Sequence, residues 1–512
     1  MKKVNDKEKL YDKLVGHNDN NVYPMHMPGH KRNTMLMNMI NPYAIDITEI
    51  DEFDNMHNPK GVIKNIEDRA NNLYGAKKTW LSVNGSSIGL MAAICAVTNR
   101  GDSILIGRNS HKSIYNAIEL NELNPEYIYP EYIGNGINGQ IFLTDIMKKI
   151  ENNSKICAVV VTSPTYEGVI SDITGISQYL HSKEIPLIVD AAHGAHLGFA
   201  TGFPKNAIKC GADIVVHSIH KTLPAFTQTS LLHVVSDKFV DINRVNKYMS
   251  IFQSSSPSYI LMSGIEKCID IMEQSEELFK NYNNYLDNFY EEAAKLNNIY
   301  LLDYKHGNNI WRDRSKIVIC NKCEDNKNYG GMYIYTQLLK RYNIQLEMKS
   351  ASYALAMTSI CDTKEGFDRL LMALVNIDKD MDEIGMKIKE NLDKIVGNCV
   401  DNVDNCNVEK SRIYADWDDL PIAFKSYTHY PPYKIQKLLI TSVLLKDSVD
   451  KISAEYVYLY PPDIPLIVPG EIITQKFINI INEYKRRGFG IEGLQDEKLN
   501  YIKVVNNEIG EI

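Results

Sequence analysis

The 512-residue sequence lacks several features that would place it in a special class of protein. No apolar run approaches the ~18 residues that span a bilayer, and the charged amino terminus, MKKVNDKEKLYDKL, has no apolar core of a secretory signal. The nine cysteines are odd in number and scattered, which argues against a disulfide framework. We therefore expect a protein of the reducing cytoplasm that has no membrane partner.

Basic residues are also too few for a nucleic-acid binder that relies on net charge. The 56 Lys and Arg residues are outnumbered by 64 Asp and Glu residues, and the net charge is −8. Hydrophobic residues make up 44% and charged residues 23%, which are ordinary values for a globular protein and exclude a disordered chain. At roughly 150 residues per domain, the length predicts two to four domains.

Short apolar runs alternate with helical patterns through the first half of the chain. The predicted strands are 79–83, 103–106, 156–162, 186–190 and 213–216, and helices such as 87–97 and 173–181 lie between them. This alternation predicts an α/β fold with a largely parallel sheet that is covered on both faces. A single long helical stretch is predicted over 261–296, and strand-like runs follow at 316–320, 344–348 and 353–357.

Changes of pattern along the chain divide it into five predicted segments. They are an N-terminal extension (1–45), a large α/β domain (46–290), a smaller α/β domain (291–396), an Asn- and Asp-rich linker (397–410) and a C-terminal domain (411–512).

The most informative stretch for chemistry is ADIVVHSIHKT at 212–222. A strand that ends near His217 delivers Ser218, His220 and Lys221 to the carboxyl edge of the sheet, where ligands of α/β proteins bind. A lysine in partly dry surroundings can lose its proton and form a Schiff base with a carbonyl. The alternative, for a lysine taken alone, is a solvated surface position.

Three further stretches fit a pyridoxal phosphate (PLP) site. Asp190 ends a buried strand, and its carboxylate suits a protonated pyridine nitrogen, although it would also suit a helix cap. The turn NGSS at 84–87 opens a helix and suits a phosphate, although serine is also a common N-cap. His111 follows another strand and could stack on a planar ring or be structural.

Taken together, the motifs resemble those of the Orn/Lys/Arg decarboxylases, which are PLP-dependent basic amino acid decarboxylases. The matching motifs are HMPGHK (26–31), TEID and DNMHNPKG (48–61), NGSS (84–87), RNSHKS (108–113), SPTYEG (163–168), VDAAHGAH (189–196), HSIHKTLPAFTQ (217–228) and YPPDIPLIVPGE (460–471). The resemblance is to the short form, without an amino-terminal wing domain. It implies the aspartate-aminotransferase-like fold (PLP fold type I), with a large mostly parallel-sheet domain, a smaller α/β domain and a C-terminal α+β domain.

The resemblance also implies a role for individual residues around the cofactor. Lys221 would carry PLP as a Schiff base, and Asp190 would pair with the pyridinium nitrogen. His111 and Ala192 would lie on the two ring faces, and His220 would lie beside the Schiff base as a third catalytic group.

Phosphate and substrate contacts follow from the same resemblance. The phosphate would be bound by Ser86, Ser87 and Ser218, and by Ser255 and Ser256 from a neighbouring subunit, which implies a homodimer with active sites at the interface. The candidates for contact with the substrate are Glu471 first, Asp463 second, and His193. Family members usually carry glycine at the position of Asp463, so the choice of substrate stays open.

The expected activity is decarboxylation of a basic L-amino acid, arginine or lysine with ornithine also open, to an amine precursor of polyamines. Two alternatives remain. One is an aminotransferase, aldolase or other lyase of the same fold, and the other is a catalytically silent regulatory homologue. No metal site is expected, because the lone CxxC at 320–323 has no second ligand pair.

Overall fold

The computed structural model describes residues 10–20, 22–36, 41–307, 309–322, 330–397, 428–460 and 463–506. The helices are α1 (Leu10–Asp19), α2 (Val62–Tyr74), α3 (Gly85–Val97), α4 (Lys112–Leu120), α5 (Leu143–Asn152), α6 (Ile173–Ser182), α7 (Ile219–Thr222), α8 (Ile242–Phe252), α9 (Tyr259–Glu273), α10 (Glu276–Ala293), α11 (Gly331–Tyr342), α12 (Lys364–Gly397), α13 (Pro432–Ile435) and α14 (Gln475–Arg487). Within the described ranges, none of these helices combines the length and the apolar character that crossing a membrane requires.

The strands complete the inventory of regular structure. They are β1 (Tyr23–Met25), β2 (Lys78–Ser82), β3 (Ser103–Gly107), β4 (Asn124–Ile128), β5 (Ile156–Thr162), β6 (Leu187–Asp190), β7 (Ile214–His217), β8 (Ser230–Val234), β9 (Ile299–Leu301), β10 (Lys305–His306), β11 (Asn309–Ile310), β12 (Lys316–Asn321), β13 (Ile344–Leu346), β14 (Met348–Lys349), β15 (Tyr353–Met357), β16 (Ile440–Leu444), β17 (Val457–Tyr460), β18 (Ile464–Ile467), β19 (Gly490–Glu492) and β20 (Tyr501–Val505).

A seven-stranded sheet in the order β2-β8-β7-β6-β5-β3-β4 forms the centre of the large domain. Its strands from β7 to β4 are parallel, and β8 runs antiparallel to both of its neighbours. Side chains of successive residues enter opposite apolar layers, so that Val159 and Val215 lie in one layer and Val160 and Val216 in the other. The predicted α/β fold with a largely parallel, doubly covered sheet is confirmed.

Two smaller regions follow the large sheet in sequence. An antiparallel sheet in the order β14-β15-β12-β9 is covered by α10 and α11, and α12 packs against these two helices. The nearby β13 pairs in parallel with β1 near the N-terminus. The C-terminal unit, which we define as the described residues between 428 and 506, contains the sheet β18-β17-β19, the pair β16-β20 and α14 around its own apolar cluster. Strand β1, from near the N-terminus, therefore lies against the region of the small sheet, and the C-terminal unit lies against the large domain.

The structure corrects two predicted elements. The stretch 261–296 forms two helices rather than one, because α9 ends at Glu273 and α10 begins at Glu276. The hydroxyl of Ser275 donates back to the carbonyl oxygen of Met272 in the last turn of α9, and two glutamates occupy the first turn of α10, where the helix dipole favours acids. The predicted strand 344–348 is interrupted at Glu347, which separates β13 from β14. Of the predicted linker, Gly397 ends α12 and residues 398–410 lie outside the described ranges. The other segment boundaries stay predictions.

Gly331 provides a test of the contact between α11 and the small sheet. A Cβ added at Gly331 would lie 1.8 Å from the carbonyl oxygen of Tyr353 on β15. We expect Gly331→Ala to lower the free energy of unfolding by about 1–3 kcal/mol, because the methyl group must separate two backbone segments. The measurement is urea unfolding of the purified protein.

The matched control is Gly16→Ala in α1, where an added Cβ meets no atom within 4 Å. This variant should be neutral or gain roughly 0.5–1 kcal/mol, since alanine favours a helix. Equal stability of the two variants would contradict the described contact.

Candidate active site

Three neighbouring parallel strands bring polar residues to one edge of the large sheet. Thr162 ends β5 directly beside Asp190, which ends β6, and β7 leads through Ser218 into the short helix α7 that carries Lys221. Beside them lies a cavity of about 310 Å³, within the range of small-molecule sites.

The cavity brings together part of the predicted set of site residues. The predicted residues that line it are Ser86, His111, Asp190, Ala192, His193, Lys221 and Asp463. The predicted residues that do not line it are Ser87, Ser218, His220, Ser255, Ser256 and Glu471. Residues from the large domain and the C-terminal unit therefore share one cavity.

Lys221 is held by a neutral histidine. Its Nζ lies 2.9 Å from Nε2 of His193. Burial lowers the pKa of Lys221, and the charge of Asp190 opposes this change only in part. Burial and the charge of Lys221 also hold the pKa of His193 well below its usual value. Nε2 of the neutral His193 therefore accepts a hydrogen bond from Nζ of Lys221. The lowered pKa that burial gives the lysine favours its amine form.

Asp190 is a buried carboxylate that lines the same cavity. Its side chain accepts a hydrogen bond from the backbone N–H of Ala192, at 3.1 Å. Burial raises the pKa of Asp190, and Lys221 and the Ala192 bond oppose that rise. A ligand that brings a protonated ring nitrogen would relieve the cost of burying this charge.

The amino terminus of α3 offers a site for an anion. Asn84 precedes the helix without capping it through its side chain, and Gly85 adopts a left-handed φ of +83° that turns the chain into the helix. Ser86 lines the cavity, and its Oγ accepts a hydrogen bond of 2.7 Å from Oγ of Ser218. Uncapped N–H groups and hydroxyls at a helix start bind phosphate well, and Ser87 adjoins them.

His111 is fixed in one tautomer at the start of α4. Its Nδ1 accepts from the backbone N–H of Ser113 at 3.2 Å, so the ring hydrogen resides on Nε2. Burial and the charges of Lys221 and Lys112 lower the pKa of His111 to about 3. The ring is therefore neutral, and Nε2 lies 3.9 Å from Oδ2 of Asp463.

Glu471 does not reach the cavity, which corrects the expectation that it contacts the substrate. Its carboxylate is fully buried and accepts two hydrogen bonds from the guanidinium of Arg108, at 3.1 and 2.9 Å. A third bond, of 2.9 Å, comes from the backbone N–H of Val468. Both oxygens are used within the protein, so Glu471 joins the C-terminal unit to the large domain.

Glu347 is an acidic residue of the cavity that the sequence reasoning missed. Its two oxygens accept from the hydroxyl of Tyr166 at 2.5 Å and from the backbone N–H of Met27 at 2.8 Å. Throughout the described ranges it forms no ion pair. The only local signal was a polar residue inside a strand-like run, and that signal does not indicate which way the side chain points.

His220 and the serine loop lie outside the cavity. Nδ1 of His220 contacts the carbonyl oxygen of Thr229 at 2.8 Å, and burial lowers the pKa of this histidine to about 4. Ser255 and Ser256 are exposed after α8, and the neighbouring Ser254 N–H donates to Asn84 just before α3. The predicted roles of these residues remain proposals.

The polar atoms on the cavity wall test whether PLP fits. Four buried atoms there have no hydrogen-bond partner in the part of the chain that is described: Oδ1 of Asn109, Oδ1 of Asn138, Oγ1 of Thr162 and Nδ1 of His193. A polar ligand would supply the missing partners. Together with an amine, a buried carboxylate and an anion site, they suit a phosphorylated pyridine aldehyde. The fold and the site thus define a PLP-dependent enzyme of fold type I.

Comparison with known proteins gives the family. Residues 8–323 match the major domain of the Orn/Lys/Arg decarboxylases, and residues 428–497 match their C-terminal domain. The chain belongs to the Orn/Lys/Arg decarboxylase family, and its cofactor is PLP.

Relatives and solved structures agree with this assignment. Arginine decarboxylases of Bacillus anthracis and Bacillus subtilis (strain 168) are each 29% identical to the chain, with alignments that cover 97% and 98% of both partners. The structure of the lysine decarboxylase LdcF from Francisella novicida has the same fold, with a TM-score of 0.73 at 20% identity over 97% of this chain and 83% of that one.

The structural role of Glu471 leads to a stability prediction. Glu471→Gln removes one partner of a buried ion pair and leaves the charge of Arg108 uncompensated. We expect the variant to lose about 3–5 kcal/mol of unfolding free energy in urea.

Asp368→Asn is the control, because Asp368 pairs with Lys364 on an exposed helix face. It should change the free energy of unfolding by less than about 1 kcal/mol. If Glu471→Gln were as stable as this control, Glu471 would not join the two parts of the chain.

Proposed function

We propose that this protein decarboxylates a basic L-amino acid, arginine or lysine, with Lys221 as the residue that bonds to PLP. The observation that carries the proposal is the contact of 2.9 Å between Lys221 and a neutral His193. The cavity around them is lined by four acids, Asp190, Glu167, Glu347 and Asp463. The arginine decarboxylases among its relatives support the same substrate class.

Residues of the large domain supply the contacts that PLP requires. Lys221 would bond to it, Asp190 would face its ring nitrogen, and His111 and Ala192 would lie on the two faces of the ring. The start of α3, with Ser86, would hold its phosphate, supported by Ser87 and Ser218. When bound, PLP supplies a ring that accepts the electrons released as the Cα–carboxylate bond breaks.

Lys221 has two tasks in this proposal. As an amine it donates an N–H to Nε2 of His193, which orients Nζ toward the cavity. Its Nζ would also hold the proton that is delivered to the substrate Cα. Its lowered pKa favours the amine, which is the form that bonds to an aldehyde.

The cavity contains few cations, which favours loss of a carboxylate. Among the described residues that line it, Lys221 is the one Lys or Arg side chain. A tight ionic partner would stabilise the substrate carboxylate in the ground state and slow its departure. This feature supports decarboxylation over the alternative of an aminotransferase on the same fold.

Glu347 is the acid that suits the distal cation of the substrate. Hydrogen bonds from Tyr166 and Met27 fix its carboxylate, and no protein cation pairs with it within the described ranges. A charge-assisted bond from a guanidinium or ammonium would complete it. Asp463 is the second acid, and its Oδ1 is already bound by Lys112 at 3.0 Å.

The proposal also includes the cellular location and the oligomeric state of the enzyme. We expect a cytoplasmic homodimer that makes an amine for polyamine biosynthesis. The exposed loop with Ser255 and Ser256 would reach the phosphate site of the neighbouring subunit. Sedimentation of the purified protein measures the oligomeric state.

The central test is Lys221→Ala. We expect no release of CO2 from arginine or lysine, because the amine that bonds to PLP is gone. In the wild type, borohydride should fix PLP to the peptide that contains Lys221, as read by mass spectrometry. Lys209→Ala, at an exposed lysine, should retain activity and labelling. PLP found on another lysine would overturn the assignment.

The second test concerns Glu347. Glu347→Gln keeps the shape of the side chain and removes its charge, so kcat/KM for arginine and lysine should fall about 10- to 100-fold. The affinity for PLP should stay unchanged. Norleucine, which lacks the distal cation, serves as the control substrate, and its slow turnover should be the same in both proteins. An equal loss for norleucine would show that Glu347 does not bind the cation.

A further inference from the structure

The segment 108–112 is held at both ends by the C-terminal unit. At one end, the buried guanidinium of Arg108 binds Glu471 and donates to the carbonyl oxygen of Pro465 at 2.7 Å. At the other end, Lys112 binds Asp463 twice, through Nζ to Oδ1 at 3.0 Å and through its backbone N–H to the carbonyl oxygen at 3.2 Å. His111 lies between these two anchors and faces the cavity.

Asp463 occupies a backbone position that favours glycine. Its φ is +65°, and its N–H donates to the carbonyl oxygen of Leu459 at 2.9 Å, in the turn between β17 and β18. Aspartate is among the few residues other than glycine that adopt the left-handed region readily, so the turn can keep a carboxylate at this position. The carboxylate contacts Lys112, and its other oxygen faces Nε2–H of His111 at 3.9 Å.

The charges around Asp463 argue against a primary role in binding the substrate cation. Its carboxylate is already compensated by Lys112, whereas Glu347, on the same cavity, has no ion pair within the described ranges. What Asp463 adds is a connection, through both its side chain and its backbone, from the C-terminal unit to Lys112, which is the neighbour of His111.

We propose that Asp463 is a positioning residue, which fixes His111 over the PLP ring through Lys112, so that docking of the C-terminal unit completes the cofactor site. The inference rests on the proposed function, since it assumes that PLP occupies the cavity. It predicts that loss of the Asp463 carboxylate weakens PLP binding and lowers kcat/KM by the same factor for every substrate.

The test uses Asp463→Asn, Lys112→Met and the double variant. Asparagine tolerates a positive φ, so the turn is retained while the charge is removed. Apoenzyme of each variant is titrated with PLP, and the circular dichroism of bound PLP in its visible band is recorded as a measure of ring orientation. We expect PLP affinity to fall about five- to tenfold in each single variant, with a weaker visible signal. The double variant should be no worse than either single one, because all three break the same contact.

Two control variants distinguish this role from a general weakening of the contact between the C-terminal unit and the large domain. Tyr456→Phe removes a 2.9 Å bond to Glu119 that also joins the C-terminal unit to the large domain, but outside segment 108–112. Asp450→Asn changes an exposed aspartate with a φ of +64°. Both variants should keep wild-type PLP affinity and visible circular dichroism.

The last measurement compares kcat/KM among three substrates. If Asp463 is a positioning residue, kcat/KM for arginine, lysine and ornithine falls by one common factor in Asp463→Asn. A changed ratio with an unchanged visible signal would overturn the inference, and so would a Tyr456→Phe variant with the same loss of PLP. Wild-type protein that binds no PLP would overturn the proposed function itself, whereas PLP binding that Asp463→Asn leaves unaltered would overturn the inference alone.

Discussion

The cost of burying an acid and a lysine together at one sheet edge is the constraint on which this structure depends. Burial raises the pKa of Asp190 and lowers that of Lys221, and each charge opposes the change in the other. Buried groups with shifted pKa values make the fold less stable than apolar residues would. Such groups are typical of sites where the chemistry uses the shifted pKa values. The strands that hold these residues, β6 and β7, are fully buried along their length, which gives the edge the rigidity to maintain it.

Two groups of buried charges that do not line the cavity are satisfied within the protein, and they contrast with the acids that do line it. Asp313 binds Lys316 at 3.0 Å and His196 at 3.1 Å. Burial alone would raise the pKa of Asp313, yet these two partners hold it well below its usual value. Arg108 and Glu471 form a second closed pair. Asp190, Glu167 and Glu347, by contrast, line the cavity and form no ion pair within the described ranges.

Local pattern was enough to predict much of the large domain. The run 156–162 is a strand over the predicted residues, and the lysine, the acid and the serine turn predicted to meet at the carboxyl edge do so. Strand ends and turns are short-range features, so a single sequence contains them. Parallel pairing then places them side by side.

Sequence reasoning failed where the direction of a side chain depends on distant residues. Gly470, with a φ of +94°, turns the chain just before Glu471, and this turn aims the carboxylate at Arg108, 363 residues away along the chain. In the same way, nothing near Glu347 shows that Met27 and Tyr166 will surround it. The break between α9 and α10 was overlooked because the apolar spacing continues through Ser275.

The docking of the C-terminal unit limits how relatives of this protein can exchange parts. Val468, which is fully buried, belongs to the apolar layer on one face of the large sheet rather than to the cluster of its own unit. A chimera with a C-terminal unit from another family member would therefore have to match both an apolar side chain at position 468 and an acid at position 471. Without them, the large domain would keep a gap in its core and an unpaired guanidinium beside it. The large domain and the C-terminal unit therefore have to be exchanged together between family members, although they contain separate sheets.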